Sequence, residues 1–425
     1  MKIAVAAVLR APLRFPRLRN GQILLRSFQM KSLIAKWLSL FLALLAVHCF
    51  GADWQLALPG WQYEFPRDHF IHPDFKTEWW YFTGHLADER GNRFGFELTF
   101  FRQGLRPPSA GNGETSRFLV NDLKFAHFAI TDLSAGQFHF QQKISRGAFD
   151  EAGFNTFSPP SLAISNSASA SPASQTSMLS PTPSPVSLAW IEDWSLEWLG
   201  GEAFRLRAKG DGTALDLHLS STKPWVIHGE NGVSQKADGE GHASHYFSGT
   251  RLASEGQIAI GKKSFRVSGE SWLDREWATN QLAPGQAGWN WFSIQLDDGT
   301  ELMLYQMRRT DGSIDPNSSG TFVGRDGAAE HLRREDYQLT AESFWTSPAT
   351  QGRYPIAWRL AIPKLGVALR ISTPLSNQEL VVHPIVYWEG LIDVEGARSG
   401  AKVRGEGYME LTGYAGRLTP LSSGK

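Results

Sequence analysis

Short runs in which apolar and polar residues alternate make up most of the chain. In residues 93–102, the side chains of Phe94, Phe96, Leu98 and Phe100 fall at every second position. Side chains two residues apart along a strand point to the same face of a sheet, so this run predicts a β-strand with one strongly apolar face.

Turn residues separate these runs. Residues 289–296 and 301–307 flank Asp297, Asp298 and Gly299, and Asp-Gly is a preferred centre for a tight hairpin turn. After residue 52, no long segment shows the 3.6-residue period of an amphipathic helix. The pattern therefore predicts an all-β protein, a sandwich or barrels.

Two pairs of motifs repeat in the same order along the chain. The aromatic hairpin that opens at residue 79 returns at residue 289, and VSGESWLD (267–274) aligns without gaps with VRGEGYME (403–410). Upstream of the second pair, FSG (247–249) matches WEG (388–390). Two ordered pairs indicate an internal duplication with a boundary near residue 280.

The duplication predicts two domains, residues 53–280 and 281–425. We expect each sheet to close into a barrel, because open sheets would expose unpaired edges, and one barrel to enclose apolar space. Residues 158–187 are rich in Ser, Pro and Ala. Such a segment buries too little apolar surface to order itself, so we predict a disordered insertion within the first half.

The charges are unevenly distributed. The chain has 42 basic and 42 acidic residues, but residues 1–52 contain eight Lys or Arg and no Asp or Glu. The remainder has 42 − 8 = 34 basic residues against 42 acidic ones, a formal charge of −8. This acidic balance argues against a nucleic-acid partner, which requires a basic face.

The basic N-terminal segment has the organisation of a signal peptide. Lys31 and Lys36 precede an apolar run, residues 37–47, and the small pair Gly51-Ala52 follows. We predict that residues 1–52 are a targeting segment and that the protein is exported, to the periplasm or outside the cell. An uncleaved anchor is the alternative, because the two differ mainly in length. Met30 is an alternative start to Met1.

Cys49 is the single cysteine of the chain. His48 precedes it where a lipid-attachment site requires a small residue, so we do not expect a lipid anchor. The remaining chain has no thiol for a disulfide, a thiolate metal site or a cysteine nucleophile.

Four motifs resemble the AttH-like and CrtC-like proteins, a family that includes carotenoid 1,2-hydratases. The motifs are EWWYFTGHL, HYFSGTRL, SGESWLDREW and GWNWFSIQLDDGTELMLYQMR, and the resemblance covers residues 60–415. It implies two lipocalin-like β-barrels in tandem and a pocket for an extended apolar molecule such as a terpenoid or polyene. We predict no cofactor.

The resemblance also implies a site. The hydratase pattern His-x-Trp and Tyr-x-Asp is matched by His245-x-Phe247 and Trp272-x-Asp274, which keeps the ionisable pair but loses the tyrosine hydroxyl. We predict Asp274 as a catalytic acid held protonated by an apolar pocket and His245 as the group that orients or deprotonates water. Aromatic faces stabilise a carbocation. The predicted ligand-binding residues are Tyr246, Phe247, Trp272, Trp79 and Tyr81.

Several of these charged residues have a structural alternative. Asp274, Arg275 and Glu276 could instead form a buried salt-bridge network. Supporting roles are also predicted for Glu78, Arg102 and Arg251, and Arg102, Arg251 and Arg308 are expected to cover aromatic faces at the barrel ends.

Two other kinds of site find no support in the sequence. His72, Glu78 and His85 do not follow a zinc-binding spacing, and no HExxH motif is present, so we predict no metal. A serine hydrolase would need a Gly-x-Ser-x-Gly elbow between a strand and a helix, and the sequence has none.

We therefore predict an exported protein that binds an apolar small molecule and carries out hydratase-, isomerase- or cyclase-type acid–base chemistry on it. The alternative is a non-catalytic lipid carrier or an envelope-associated binding protein, with peripheral membrane association. A secreted hydrolase has less support.

Overall fold

The computed structural model describes residues 53–108, 120–158, 185–382 and 385–416. Within these ranges the chain forms two curled antiparallel sheets, which confirms the predicted all-β class. The helical segments of the described residues are single 3₁₀ turns at Arg67–His69, Ala148–Asp150, Arg334–Asp336 and Pro363–Leu365.

The first sheet contains thirteen strands. They are β1 (Thr77–Asp88), β2 (Arg93–Gly104), β3 (Asp122–Asp132), β4 (Gln137–Ser145), β5 (Ala152–Phe154), β6 (Val186–Ile191), β7 (Trp194–Gly200), β8 (Ala203–Gly210), β9 (Thr213–Ser221), β10 (Val226–Ile227), β11 (Ser234–Gln235), β12 (Ala243–Ile260) and β13 (Lys263–Ala278).

The second sheet contains ten strands. They are β14 (Gln286–Leu296), β15 (Glu301–Arg309), β16 (Ser319–Val323), β17 (Ala329–Arg333), β18 (Gln338–Thr346), β19 (Arg353–Ile362), β20 (Val367–Ser372), β21 (Glu379–Val382), β22 (Ile385–Arg398) and β23 (Ala401–Thr412).

The two sheets have the same topology. The order β4-β3-β2-β1-β13-β12-β9-β8-β7 in the first sheet corresponds to β17-β16-β15-β14-β23-β22-β20-β19-β18 in the second. In each half the opening strand therefore pairs with the closing strand. The register is also repeated, since Tyr81 lies opposite Asp274 and Trp291 lies opposite Glu410. This confirms the internal duplication predicted from the motif pairs.

Each curled sheet is filled by its own apolar core. Trp80 and Phe82 of β1 belong to the core of the first sheet, and Phe292 and Ile294 of β14 belong to the core of the second. The expectation that one barrel would enclose the ligand space was therefore wrong. The cavity that Asp274 lines lies between the sheets, because the outward residues of the same strands are also aromatic and pack against the other half.

A buried ion network joins the first strand of the first sheet to its last. The Arg275 guanidinium lies 3.7 Å from the centre of the Trp80 ring, and its Nη2 is 3.0 Å from Oε2 of Glu78. Arg102 Nε lies 3.4 Å from the other carboxylate oxygen of Glu78. Burial alone would raise the pKa of Glu78, but Arg275, His72 and Arg102 together lower it below its usual value.

The structure gives several of these charged residues partners other than those predicted from the sequence. Arg275 pairs with Glu78 rather than with Asp274, since adjacent residues of a strand point to opposite faces. Arg251 does not cover an aromatic face but bridges Glu270 and Glu301. Arg102 likewise binds Glu78 and backbone carbonyl groups. Arg308 does lie over a ring, 3.7 Å from the centre of Tyr414.

Two sequence predictions fall outside the described residues. Residues 1–52 and most of the Ser/Pro-rich tract, residues 159–184, are not among the described ranges. In the part of the chain that is described, no helix has the length and apolarity to cross a bilayer.

We expect Glu78→Leu to lower the free energy of unfolding by about 3–5 kcal/mol, because it leaves Arg275 and Arg102 buried without their counter-ion. Urea denaturation followed by tryptophan fluorescence measures the change. Glu342→Gln is the matched control, since Glu342 pairs with the exposed Arg359 at the surface. A Glu78→Leu effect no larger than that of the control would contradict the assigned role of the network.

Candidate functional site

The candidate site is a cavity of about 240 Å³ between the two sheets. Both halves of the duplication contribute to its wall. Its aromatic residues include Trp79, Tyr81 and Tyr246 from the first half and Trp289, Trp291 and Tyr387 from the second. Buried acidic groups interrupt this apolar wall at Asp274, Glu276, Glu389 and Glu410.

Asp274, in β13, is the most extensively hydrogen-bonded of these acids. Tyr246 lies with its hydroxyl oxygen 2.5 Å from Oδ2, and Trp272 donates its indole N–H to Oδ1 at 2.6 Å. Ser248 donates to Oδ1 as well. Sheet register explains this arrangement, because Ser248 lies opposite Asp274 in the β12–β13 pair and Trp272 is two residues away on the same strand.

Burial raises the pKa of Asp274 to about 7, although bonds from Ser248, Tyr246 and Trp272 favour the charged form. The nearby negative charge of Glu276 raises the pKa further. Asp274 can therefore hold a proton near neutral pH and release it within an aromatic cavity, as a general acid requires. A proton on Oδ2 lies against the Tyr246 hydroxyl group, which lines the cavity.

The structure supplies a phenol that the sequence pattern lacks. Trp272 stands where the hydratase pattern has a tyrosine, but Tyr246, on the neighbouring strand, brings its hydroxyl group to the same carboxyl. Trp291 of the second half donates its indole N–H to that hydroxyl oxygen at 3.1 Å. The acid is thus held by residues of both halves.

His245 does not join Asp274. It lies opposite Trp277 in the β12–β13 register, on the other face of the sheet, and its Nδ1 is 3.0 Å from the carbonyl oxygen of Gly232. Its ring packs 4.7 Å from that of Trp61, and burial lowers its pKa to about 4. Ser248, and not His245, lies opposite Asp274 in the β12–β13 pair. His245 is three residues from Ser248, and side chains an odd number of residues apart along a strand point to opposite faces. The two predicted catalytic side chains therefore lie on opposite faces of the sheet.

The remaining residues predicted from the sequence also fall into two groups, those on the cavity side of the sheet and those on its opposite face. Trp79, Tyr81 and Tyr246 line the cavity. Trp272 lies behind Asp274, whereas Phe247 shares the opposite face with His245 and packs against Trp225 and Trp277. The structural residues Glu78, Arg102 and Arg275 form the network described above and do not line the cavity.

Glu276 lines the cavity and pairs with a residue that the sequence did not single out. Its Oε1 is 3.3 Å from Nζ of Lys236. The ammonium group also lies 3.9 Å from the ring centre of Tyr305. The pair places a compensated charge in the cavity wall beside Asp274.

Sequence reasoning also missed a series of hydrogen-bonded polar side chains behind Asp274. His228 Nε2 is 2.7 Å from the Ser248 hydroxyl oxygen, and Nδ1 is 2.8 Å from the Thr321 hydroxyl oxygen of the second sheet. Burial lowers the pKa of His228 well below its usual value, so the ring is neutral and fixes the Ser248 hydroxyl toward Asp274. Nothing in the sequence near His228 indicates this contact, which depends on the packing of the two sheets.

The second half provides acids at positions equivalent to the first. Glu410 aligns with Asp274 in the repeated closing strand, and Trp289 donates its indole N–H to Glu410 Oε2 at 2.9 Å. Burial raises the pKa of Glu410 to about 7. Glu389 lies opposite Glu410 in the β22–β23 pair. The motif alignment contained this signal, since it places Glu410 at the position of Asp274.

The described residues contain no group of three or more His, Cys, Asp or Glu side chains arranged to hold a metal ion. The carboxyls of the cavity are surrounded instead by phenol and indole groups.

The fold and the cavity define a duplicated all-β protein of two curled sheets with buried carboxyls between its halves. Residues 56–414 match the model of the AttH-like family, and the chain belongs to that family. A solved structure from Nitrosomonas europaea, itself described as an AttH protein, is similar with a TM-score of 0.71 and 31% identity, covering 85% of this chain and 99% of that one.

Two more distant similarities accompany the family match. Kievitone hydratase from Nectria haematococca shares the fold, with a TM-score of 0.58 and 14% identity over 86% of this chain and 99% of that one. The dehydratase asqC of Emericella nidulans is 22% identical over 218 residues, which are 49% of this chain. The match spans 60% of the length of that dehydratase.

The raised pKa of Asp274 predicts a pH effect on stability. The group binds its proton more tightly in the folded than in the unfolded protein, so its contribution is complete below about pH 4 and is lost as the pH rises through about 7. Relative to Asp274→Asn, we expect the wild-type free energy of unfolding to fall by about 2–4 kcal/mol between these values. Urea titrations of both proteins across this pH range measure the difference, and parallel curves would contradict the prediction.

Proposed function

We propose that this protein is a hydratase- or dehydratase-type enzyme that adds water to, or removes it from, an apolar ligand bound between its two halves. The observation that supports this proposal best is the Asp274 carboxyl, whose pKa is raised to about 7 and whose Tyr246 partner lines an aromatic cavity. Acid-catalysed chemistry on an unactivated carbon skeleton requires a proton donor of this kind, shielded from bulk water.

The proposed steps need a single carboxyl group. In dehydration, Asp274 transfers its proton to the hydroxyl group of the ligand, the C–O bond breaks, and water leaves. The carboxylate then takes a proton from the adjacent carbon, so that a C=C bond forms and Asp274 is protonated again. Hydration is the reverse, and His245 is not required.

The aromatic wall supports the same chemistry. The Trp79 and Trp291 rings line the cavity together with Asp274, and a ring face attracts the positive charge that develops on carbon when the C–O bond breaks. Asp274, once ionised, supplies the opposite charge nearby. Isomerisation of a double bond would use the same proton transfers without loss of water.

The comparisons agree with this class of reaction. One matched protein is named a hydratase and another a dehydratase, and both names refer to water addition or removal. Their similarity supports the proposal together with the acid in the cavity. Their ligands are not carried over to this chain.

We expect Asp274→Asn to reduce turnover by about 100-fold or more, because the amide cannot donate and recover the proton. The ligand is first identified by solvent extraction of the purified protein and mass spectrometry, and turnover is then followed as exchange of oxygen with isotopically labelled water. The wild-type rate should fall above about pH 7, as Asp274 loses its proton. Glu342→Gln, at the surface, is the matched control and should leave the rate unchanged.

Two results would contradict the proposal, the first for the role of Asp274 and the second for catalysis itself. If Asp274→Asn turns over as fast as the wild type, Asp274 is not the acid. If the extracted ligand is retained by every variant and none exchanges oxygen, the protein is a carrier.

We also propose that the protein is exported, on the basis of Lys31, Lys36, the apolar run 37–47 and the pair Gly51-Ala52. Expression of the full chain in a bacterial host should yield a mature protein that begins after Ala52, detected by intact mass and N-terminal sequencing. Replacement of two apolar residues of the run, Leu42→Asp and Leu44→Asp, should keep the chain uncleaved in the cytoplasm. Cleavage unaffected by that double replacement would exclude a signal peptide.

A further inference from the structure

We infer that Glu389 forms a second polar subsite in the cavity, one that binds a neutral hydroxyl or phenol group of the ligand away from Asp274. This inference rests on the proposed function, because it assigns a chemical feature to the same ligand. It implies a substrate with an apolar body and a hydroxyl group remote from the reacting carbon.

Glu389 is one of the residues that line the cavity, and its carboxyl oxygens are buried. The residue is 2% exposed, and neither of its carboxyl oxygens has a hydrogen bond to any described residue. The hydroxyl groups of Tyr81 and Tyr387 face this carboxyl and favour its charged form, but neither makes a hydrogen bond of normal geometry with it, and the Tyr81 hydroxyl has no other partner among the described residues. A buried carboxyl without a well-formed hydrogen bond is costly, so its position in the cavity wall indicates a place for a polar group of the ligand.

The duplication shows why this position differs from the first site. Glu389 aligns with Ser248, and Glu410 aligns with Asp274. In the first half the short Ser248 side chain donates to Asp274, and no space remains for a ligand atom between them. In the second half the Trp289 indole N–H donates to Oε2 of Glu410, and the carboxyl of Glu389, a residue of the cavity wall, has no comparable donor.

The surroundings favour a neutral partner for Glu389. Burial and the neighbouring acids Glu97 and Glu410 raise the pKa of this carboxyl well above its usual value, which favours its neutral form. A protonated carboxyl offers one O–H donor and one carbonyl acceptor, and a hydroxyl group offers the same pair in return.

The test uses three matched probes: 2-naphthol, naphthalene and 1-naphthalenemethylamine. Binding is measured by quenching of the tryptophan fluorescence of the cavity in the wild type, Glu389→Gln and Glu389→Leu. We expect the wild type to prefer 2-naphthol to naphthalene by about five- to tenfold, the range of a hydrogen bond to a neutral group. Glu389→Gln, which keeps a donor and an acceptor, should retain this preference, and Glu389→Leu should lose it.

Thermal unfolding separates binding from folding. We expect Glu389→Leu to melt at the same temperature as the wild type or higher, because it removes a buried carboxyl that has no partner. If Glu389→Leu is stably folded but no longer prefers 2-naphthol, the loss is due to the missing carboxyl group and not to unfolding. Asp274→Asn should keep the preference for 2-naphthol, so failure of the proposed reaction and failure of this subsite are measured separately.

Three outcomes would overturn the inference. Equal affinity of the wild type for 2-naphthol and naphthalene would show that no hydroxyl group is recognised. A preference that survives in Glu389→Leu would place the recognition elsewhere. Tightest binding of 1-naphthalenemethylamine, lost in Glu389→Gln, would make Glu389 a cation-binding group instead.

Discussion

The face-to-face packing of two aromatic sheets is the constraint on which the candidate site depends. Strands β1 and β14 place one set of apolar side chains in their own core and the alternate set between the halves. This second layer excludes water from the carboxyls that project into it. Desolvation, rather than any neighbouring charge, is the main reason that the pKa values of Asp274 and Glu410 are raised.

The two faces of the first sheet surround their charged residues with different partners. Arg275 on the inner face of β13 is compensated by Glu78, and the Glu78 carboxyl stays ionised. Asp274, the preceding residue, points to the other face, where its partners are hydroxyl and indole groups. The inner face therefore holds the Arg275–Glu78 ion pair, and the outer face holds Asp274 among neutral hydrogen-bond donors, beside the Glu276–Lys236 pair.

The duplication produced one shared cavity rather than two separate ones. Trp291 of the second half donates to Tyr246 of the first, and His228 connects Ser248 to Thr321 of the second sheet. Neither half could form this environment alone, because each supplies part of the wall. Divergence between the copies, such as Ser248 against Glu389, gives the two sides of the cavity different chemistry.

The sequence alone determined the strands, the duplication, the family and Asp274 as a candidate acid, because strand periodicity and the order of motifs are local properties. Their alternation correctly placed Trp79 and Tyr81 on one face. Tertiary structure decided which residues meet Asp274. The register of β12 against β13 turns His245 away, and only the packing of one sheet on the other locates the cavity between them, since sequence periodicity does not specify which surface covers an outward aromatic face.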